Sequence, residues 1–360
     1  MTTFDLHILR RLTTGFLFLL MILIVFFIVL HYVEYIDDFM DRGASMAQVF
    51  GVYYPNLIPD IIRLTTPLAL FLACVYLTGK LAQEYQLLAL HTSGVSLRRL
   101  LLPYLVVGIL AAAFLFAFGG WVVPKSNQIV IDYEQQFLKD APRQVDVTDI
   151  HRQNRPGSIL SVGYYDRNAR TAHRVTLLRY GSRQRLEHRI DAGRMSWNDS
   201  LSLWRMHDVI ERSFSPERQD HVQRRELDTL LQVLPRDLAR TERDIESMTI
   251  PEAREYLASL RRSGVQEVSR PEVSYYSMFS YPVAAVVVVL LSVPLSSVRR
   301  RRGQAIQLAI GLFVAFIYLA LLKISEPLGY AGALPPLVAS WLPHLAFAVV
   351  ALVLMATSRK

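Results

Sequence analysis

Residues 16 to 30 read Phe16-Leu17-Phe18-Leu19-Leu20-Met21-Ile22-Leu23-Ile24-Val25-Phe26-Phe27-Ile28-Val29-Leu30, an apolar run without a single charge. With His31 to Val33 it approaches the ~20 residues that cross a bilayer core as a helix. It is too long for the core of a signal peptide and lacks a small-residue cleavage site before Glu34, so the expectation is a retained first span. Five further runs follow: Leu64 to Leu81, Leu100 to Val123, Tyr281 to Val298, Ala305 to Leu322 and Leu337 to Met355. Apolar residues concentrate at the two ends of the 360-residue chain, and the stretch between Lys125 and Arg270 is charge-rich. The fold class read from this pattern is an α-helical membrane protein with six transmembrane helices, three before and three after an inserted polar domain.

Orientation follows from Lys and Arg in the short loops. Arg10 and Arg11, then Lys80, Arg98 and Arg99, then Arg299 to Arg302, and finally Arg359 and Lys360 flank the spans on one side. Residues 34 to 57 carry one base, Arg42, against Glu34, Asp37, Asp38 and Asp41. Both termini are therefore expected in the cytoplasm and the middle domain outside it. The net charge of +8 is a topology signal rather than a nucleic-acid footprint, because no basic face interleaved with aromatics accompanies it. The single cysteine, Cys74, excludes an intrachain disulfide and reads as a packing residue.

The middle segment reads as strands from 125 to 235. Ser158 to Tyr165, Thr171 to Tyr180, Arg185 to Trp197, Leu201 to Phe214 and Arg218 to Val233 are separated by turn-prone pieces such as Asn198-Asp199. Their alternation of apolar and charged residues is imperfect, which suits a sheet wet on one face, in a sandwich or open barrel. Thr249-Ile250-Pro251-Glu252 then has capping-box form and predicts a returning helix from about 250 to 263, stopped by Gly264. The domain plan is 1–124 for helices one to three, 125–270 for the all-β domain with its returning helix, and 271–360 for helices four to six.

No catalytic constellation is present. Gly79-Lys80 is not a P-loop, since Cys74 stands where the first glycine belongs and Leu81 follows the lysine. No metal-ligand spacing, nucleophile elbow or pair of acids inside the spans appears, so neither a metal site nor an intramembrane protease is expected. An ion-coupled carrier usually buries Asp, Glu or His near the bilayer centre, and the charges here gather at span ends. Arg63 and Lys323 stand apart from the rest, near the extracytoplasmic ends of helices two and five. They either snorkel or meet the phosphates of an anionic headgroup. Gln83 to Gly94 predicts a short cytoplasmic helix with Leu87, Leu90 and His91 on one face, and Glu84 without a basic stripe favours docking to a partner over binding to lipid.

At the level of motifs the chain resembles the LptF/LptG (YjgP/YjgQ-type) permeases of the lipopolysaccharide-export ABC transporter. The resemblance rests on the 3+3 layout, on Ala82-Gln83-Glu84 through Thr92-Ser93-Gly94 and on Trp121-Val122-Val123-Pro124. It continues through Ser247-Met248-Thr249-Ile250-Pro251-Glu252, Tyr281-Pro282, Val293-Pro294-Leu295, Gly303, Gly329 to Pro336 and Trp341-Leu342-Pro343. It implies an inner-membrane permease subunit with a β-jellyroll-like periplasmic domain. It also implies a second permease of the same family, an LptB-type ATPase dimer that binds the ATP, and LptC- and LptA-type periplasmic proteins. This chain itself would hold no cofactor. Lipopolysaccharide would pass laterally between helices one and five into a central cavity and on to the β domain. The segment Gln83 to His91 becomes the coupling helix, with Glu84, Gln86, Leu87, Leu90 and His91 as candidate ATPase contacts, and Arg63 and Lys323 become headgroup candidates.

Two positions depart from the family's pattern. Many members carry an acid where Gln86 stands, and the nearest acid, Glu84, is rotated by about 200° on a continuous helix. The acidic stretch Glu34 to Asp41 replaces the bases common where helix one leaves the membrane. Without the resemblance, the residues alone also allow a membrane-anchored periplasmic binding or scaffolding module that transports nothing.

Overall fold

The computed structural model of the chain describes residues 3–137, 147–166, 169–181, 185–198, 201, 203–214, 219–233, 235, 238, 242–262, 268–297 and 304–357. The basic loop Arg299 to Arg302, Gly303, Gly264, Arg359 and Lys360 lie outside them.

Among the described residues six helices are long and apolar enough to cross a membrane. The first, α1, is Thr3–Asp41. The second, α2, comprises Met46–Gln48, a π-helical turn Val49–Tyr53, and Tyr54–Gln83. A short helix α3, Gln86–Thr92, separates it from α4, which comprises Leu97–Ala117, a π-helical turn Phe118–Val122, and Val123–Phe137. After the β domain come α5, Ile250–Arg262, and the last three spans: α6, Ser269–Ser296; α7, Gln304–Tyr330; and α8, Pro336–Thr357. The helices outrun the apolar runs that announced them, because the water-facing turns at each end keep the same backbone hydrogen bonding. Residues 125–137 are helical where the sequence reading begins the strands; Val130, Tyr133 and Phe137 pack one stripe of that helix against α1 and α2.

The chain divides into two compact units, one of 1–141, 246–250 and 272–360, the other of 142–245 and 251–271. In the first, α2 is the central packing partner. Leu70, Cys74 and Leu77 of α2 meet Tyr104 and Val107 of α4 and Val289 of α6 in one cluster. Its other face, with Phe71 and Val75, meets Val288, Tyr318 and Phe347 of α6, α7 and α8. Gly108 lets α4 and α6 approach, since a Cβ there would stand 3.1 Å from Val289.

Among the described residues of the second unit six strands form one antiparallel sheet in the order β1-β2-β3-β4-β5-β6. They are β1 Val147–Arg155, β2 Ser158–Asp166, β3 Thr171–Tyr180, β4 Leu186–Asn198, β5 Leu203–Phe214 and β6 Gln219–Thr229. This is a meander of nearest neighbours, with Greek-key crossovers absent among the described residues. The apolar side chains of its inner face, Leu160, Val162, Val175, Leu177, Met206 and Trp204 among them, form one core. Trp204 donates its indole N–H to the Val233 carbonyl at 2.7 Å, which closes the core's edge.

The imperfect alternation has a structural cause. Gly163, Arg174, Gly193 and Asp208 lie opposite one another across β2 to β5, each flanked by regular pairs such as Val162↔Val175 and Tyr164↔His173. In every one of these strands the buried residues on either side are three apart: Val162 and Tyr165, Ala172 and Val175, Ala192 and Met195, Met206 and Val209. One extra residue per strand, aligned in a row, resets the alternation along this crease, and both halves keep their apolar faces inward. Arg174 and Asp208 take left-handed backbone, with φ of 52° and 56°. Gly163 leaves room for Arg174, whose Nε would lie 2.8 Å from any Cβ placed there.

Candidate functional site

The region between α2 and α4 is built by two helix stops. At the first, Glu84 ends α2 and Tyr85 turns the chain with φ 59°, a left-handed conformation that costs a non-glycine residue about 1–2 kcal/mol. At the second, Gly94 takes φ 86° while its N–H bonds the His91 carbonyl and the Val95 N–H bonds the Leu90 carbonyl. That pair of bonds is a Schellman stop, which glycine accommodates without strain. Ser96 then caps α4 by accepting from the Arg99 N–H.

Between the stops α3 has two faces. Leu87 is 3% exposed and joins Leu81, Leu97, Leu100 and Leu101 in the transmembrane core, with Leu90 packed alongside. These two leucines seat the helix on its own chain. The outward face carries Glu84, Tyr85, Gln86, Leu88 and His91. Leu88 is 57% and Tyr85 51% exposed. Neither is suggested by the sequence, because the three-four spacing of Leu87, Leu90 and His91 identifies an apolar stripe without saying what covers it. The break at Tyr85 also removes the 200° separation expected on a continuous helix. Gln86 Nε2 donates to Glu84 Oε2 at 2.9 Å, and Lys80 Nζ lies 3.9 Å from the same carboxylate's other oxygen. Acid and amide thus form one polar group beside Leu88 and Tyr85.

The two cations are placed differently. Arg63 on α2 donates from Nε (2.9 Å) and Nη2 (2.7 Å) to Asp60 Oδ1, and its guanidinium stands 5.6 Å over the Tyr281 ring of α6. Its side chain keeps one third of its exposure. Lys323 on α7 is exposed. Glu326 lies within electrostatic reach of both cations, and Glu246 within reach of Arg63. Glu326 is thus the carboxylate common to Arg63 and Lys323, while Asp60, which went unnoticed in the sequence, pairs with Arg63. Tyr281 also lines an apolar crevice with Leu68, Phe71, Val288, Val314 and Phe347. Beside this apolar crevice stand the two cations and the carboxylates Asp60, Glu246 and Glu326.

These features define a class: a polytopic membrane protein with six spans, a small helix displayed between the second and third, and a β domain inserted between the third and fourth. The chain belongs to the family of lipopolysaccharide export system permeases LptF/LptG, whose model matches residues 6–357. It is 21% identical over 345 residues to the lipopolysaccharide export system permease protein LptG of Escherichia coli K12, with 90% of each chain covered. It is 20% identical over 338 residues to the LptG of Haemophilus influenzae, with 88% of each covered.

Proposed function

We propose that this chain is a permease subunit of an ATP-driven lipopolysaccharide exporter in a bacterial inner membrane. Both termini and α3 lie in the cytoplasm and the β domain in the periplasm. The chain works beside a second permease of its family, draws on ATP hydrolysed by an LptB-type ATPase dimer, and hands lipid to LptC- and LptA-type proteins. The observation that carries this reading is the family match across both sets of spans and the β domain together. Both relatives named above are LptG proteins, which favours the LptG-type position in the pair.

The residues supply the parts of the mechanism that belong to this subunit. The outward face of α3 gives the ATPase an apolar contact at Leu88 and Tyr85 and a charged hydrogen-bonding contact at Glu84 and Gln86. Leu87 and Leu90 tie that face to the transmembrane core, so a displacement of α3 is transmitted to α2 and α4. At the other end of the spans Arg63 and Lys323 receive the phosphates of lipid A, with Asp60 and Glu326 as the counter-ions that the lipid displaces.

Affinity purification of the full chain from native membranes tests the assembly. The expected result is co-purification with an ATPase and a second permease, and a bound phosphorylated glycolipid by mass spectrometry. Recovery with periplasmic proteins alone would support an anchored binding or scaffolding module instead.

A further inference from the structure

Of the 39 residues of α1 only four are buried: Asp5, Ile8 and Leu12 near one end and Phe39 near the other. Between them the helix shows a long exposed apolar stretch, with Phe18, Met21, Val25 and Phe26 each more than half exposed. Its fully buried residues thus lie at two mounts, one near each end, with half-buried residues such as Phe16 and Leu19 packed against the core between them. The first combines Ile8 and Leu12 with the ion pair from Arg99 Nη2 to Asp5 Oδ2, 2.7 Å. The second is polar and aromatic, and the known activity of the family does not account for it.

At the second mount Tyr53 O–H donates to Glu134 Oε1 at 2.9 Å. The same hydroxyl oxygen lies 3.3 Å from His31 Nε2, and His31 Nδ1 lies 3.4 Å from the Tyr54 hydroxyl. A phenol has one proton, and here the carboxylate takes it. The contact between Tyr53 and His31 must then be donated by the ring, which places a proton on Nε2 and makes the neutral ring the Nε2–H tautomer. Its Nδ1 is left as an acceptor, and Tyr54 O–H fills it. The donors run in one direction, Tyr54 to His31 to Tyr53 to Glu134, and join α1, α2 and α4. The π-helical turn Val49–Tyr53 delivers the neighbouring tyrosines to opposite sides of one imidazole. Around them Tyr35 stacks 4.6 Å from His31, and Phe39 and Tyr133 stand 5.6 Å and 5.0 Å from Tyr53.

We infer that His31, Tyr53, Tyr54 and Glu134 are positioning residues whose directed hydrogen-bond chain fixes the outer half of α1 against α2 and α4, and so sets how far this subunit opens to membrane lipid. The second clause rests on the permease reading; the first does not. Loss of a link weakens the outer mount and lets the outer half of α1 move against α2 and α4. Tyr53→Phe removes both bonds of the central hydroxyl while keeping the aromatic packing. Glu134→Gln keeps an acceptor for Tyr53 and serves as the conservative variant.

The test uses the full complex in nanodiscs, with spin labels at Met21→Cys on α1 and Ile109→Cys on α4. The native chain is expected to give one narrow distance distribution, Glu134→Gln a similar one, and Tyr53→Phe and Glu134→Leu broad ones. Nitrogen NMR of labelled His31, assigned by its loss in His31→Gln, should show the Nε2–H tautomer. Photocrosslinking of lipopolysaccharide to α1 should change by about three- to tenfold in Tyr53→Phe, the scale of one or two lost hydrogen bonds. An unchanged distribution in Tyr53→Phe, or an Nδ1–H ring, overturns the chain of bonds. A broadened distribution with unchanged crosslinking overturns its tie to lipid admission. Absence of crosslinking in the native complex refutes the permease reading and leaves the mount standing.

Discussion

Gln86 and Glu84 share one hydrogen bond, 2.9 Å from amide nitrogen to carboxylate oxygen, across a helix break that Tyr85 makes in left-handed backbone. The two form one pair, an amide on the helix and a carboxylate held against it. Loss of either member should cost less than loss of both. Glu84→Ala and Gln86→Ala are each expected to weaken ATPase association modestly, and the double variant to do so by about tenfold or more, as truncation of an interface centre does. Equilibrium binding of the purified ATPase to the permease pair in nanodiscs measures it.

The two leucines of α3 that adjoin this pair separate docking from folding. Leu88→Asp should leave the permease's thermal stability within about 0.5 kcal/mol, as exposed substitutions do, and abolish ATPase co-purification. Leu87→Ala should lower the stability of the permease itself by about 2–5 kcal/mol, because it opens a cavity in the core. Thermal unfolding in detergent beside a pull-down distinguishes the two.

Asp60 competes for Arg63. Asp60→Asn removes the opposing charge and should raise lipopolysaccharide crosslinking at Arg63 by about two- to fivefold, the scale of a partly exposed ion pair. Arg63→Ala combined with Lys323→Ala should reduce it below the native level. Crosslinking that ignores all three substitutions would remove this end of α2 from the lipid's path.

The crease in the β sheet has a steric requirement at one residue. Gly163→Val puts side-chain atoms where Arg174 lies and should destabilise the β domain by about 1–3 kcal/mol, the cost of overpacking. Arg174→Gly removes both the clash and the strained φ and should restore stability in the double variant. Proteolytic susceptibility of the β domain in the full chain reads both effects.

On β5 and β6, Arg205 donates to both oxygens of Asp228, at 2.8 Å and 3.0 Å, and these bonds hold the Asp228 carboxyl below the usual carboxylate range. The folded value lies below the unfolded one of about 3.9, so the pair's contribution is complete above that pH and disappears as pH falls through the folded value. Both groups are exposed, and added salt should weaken the effect. Carboxyl NMR titration of Asp228 should move up towards the ordinary value in Arg205→Ala.

The spans were legible because hydrocarbon requires long apolar runs, and the strands from Ser158 to Phe214 because turn residues separate them. The first strand was missed: Val147 to Arg155 has only two apolar residues, as an edge strand can. The helical stretch 125–137 went unread because its stripe of Val130, Tyr133 and Phe137 is short and charge-rich around it. The crease was visible only as faulty alternation, whose meaning depends on four strands failing in the same row. Tyr85 carries no turn signal, so the break that unites Glu84 with Gln86 could not be expected. The partners of His31 lie 22, 23 and 103 residues away, and no local pattern joins them.

The most direct measurement is reconstitution. The full chain, a second permease of the family, the ATPase and an LptC-type protein are placed in liposomes loaded with lipopolysaccharide. Transfer to a soluble LptA-type acceptor is then followed by photocrosslinking. Transfer that requires ATP and fails with Leu88→Asp is the expected result; ATP-independent transfer, or equal transfer when this chain is omitted, would contradict its role as the energised permease.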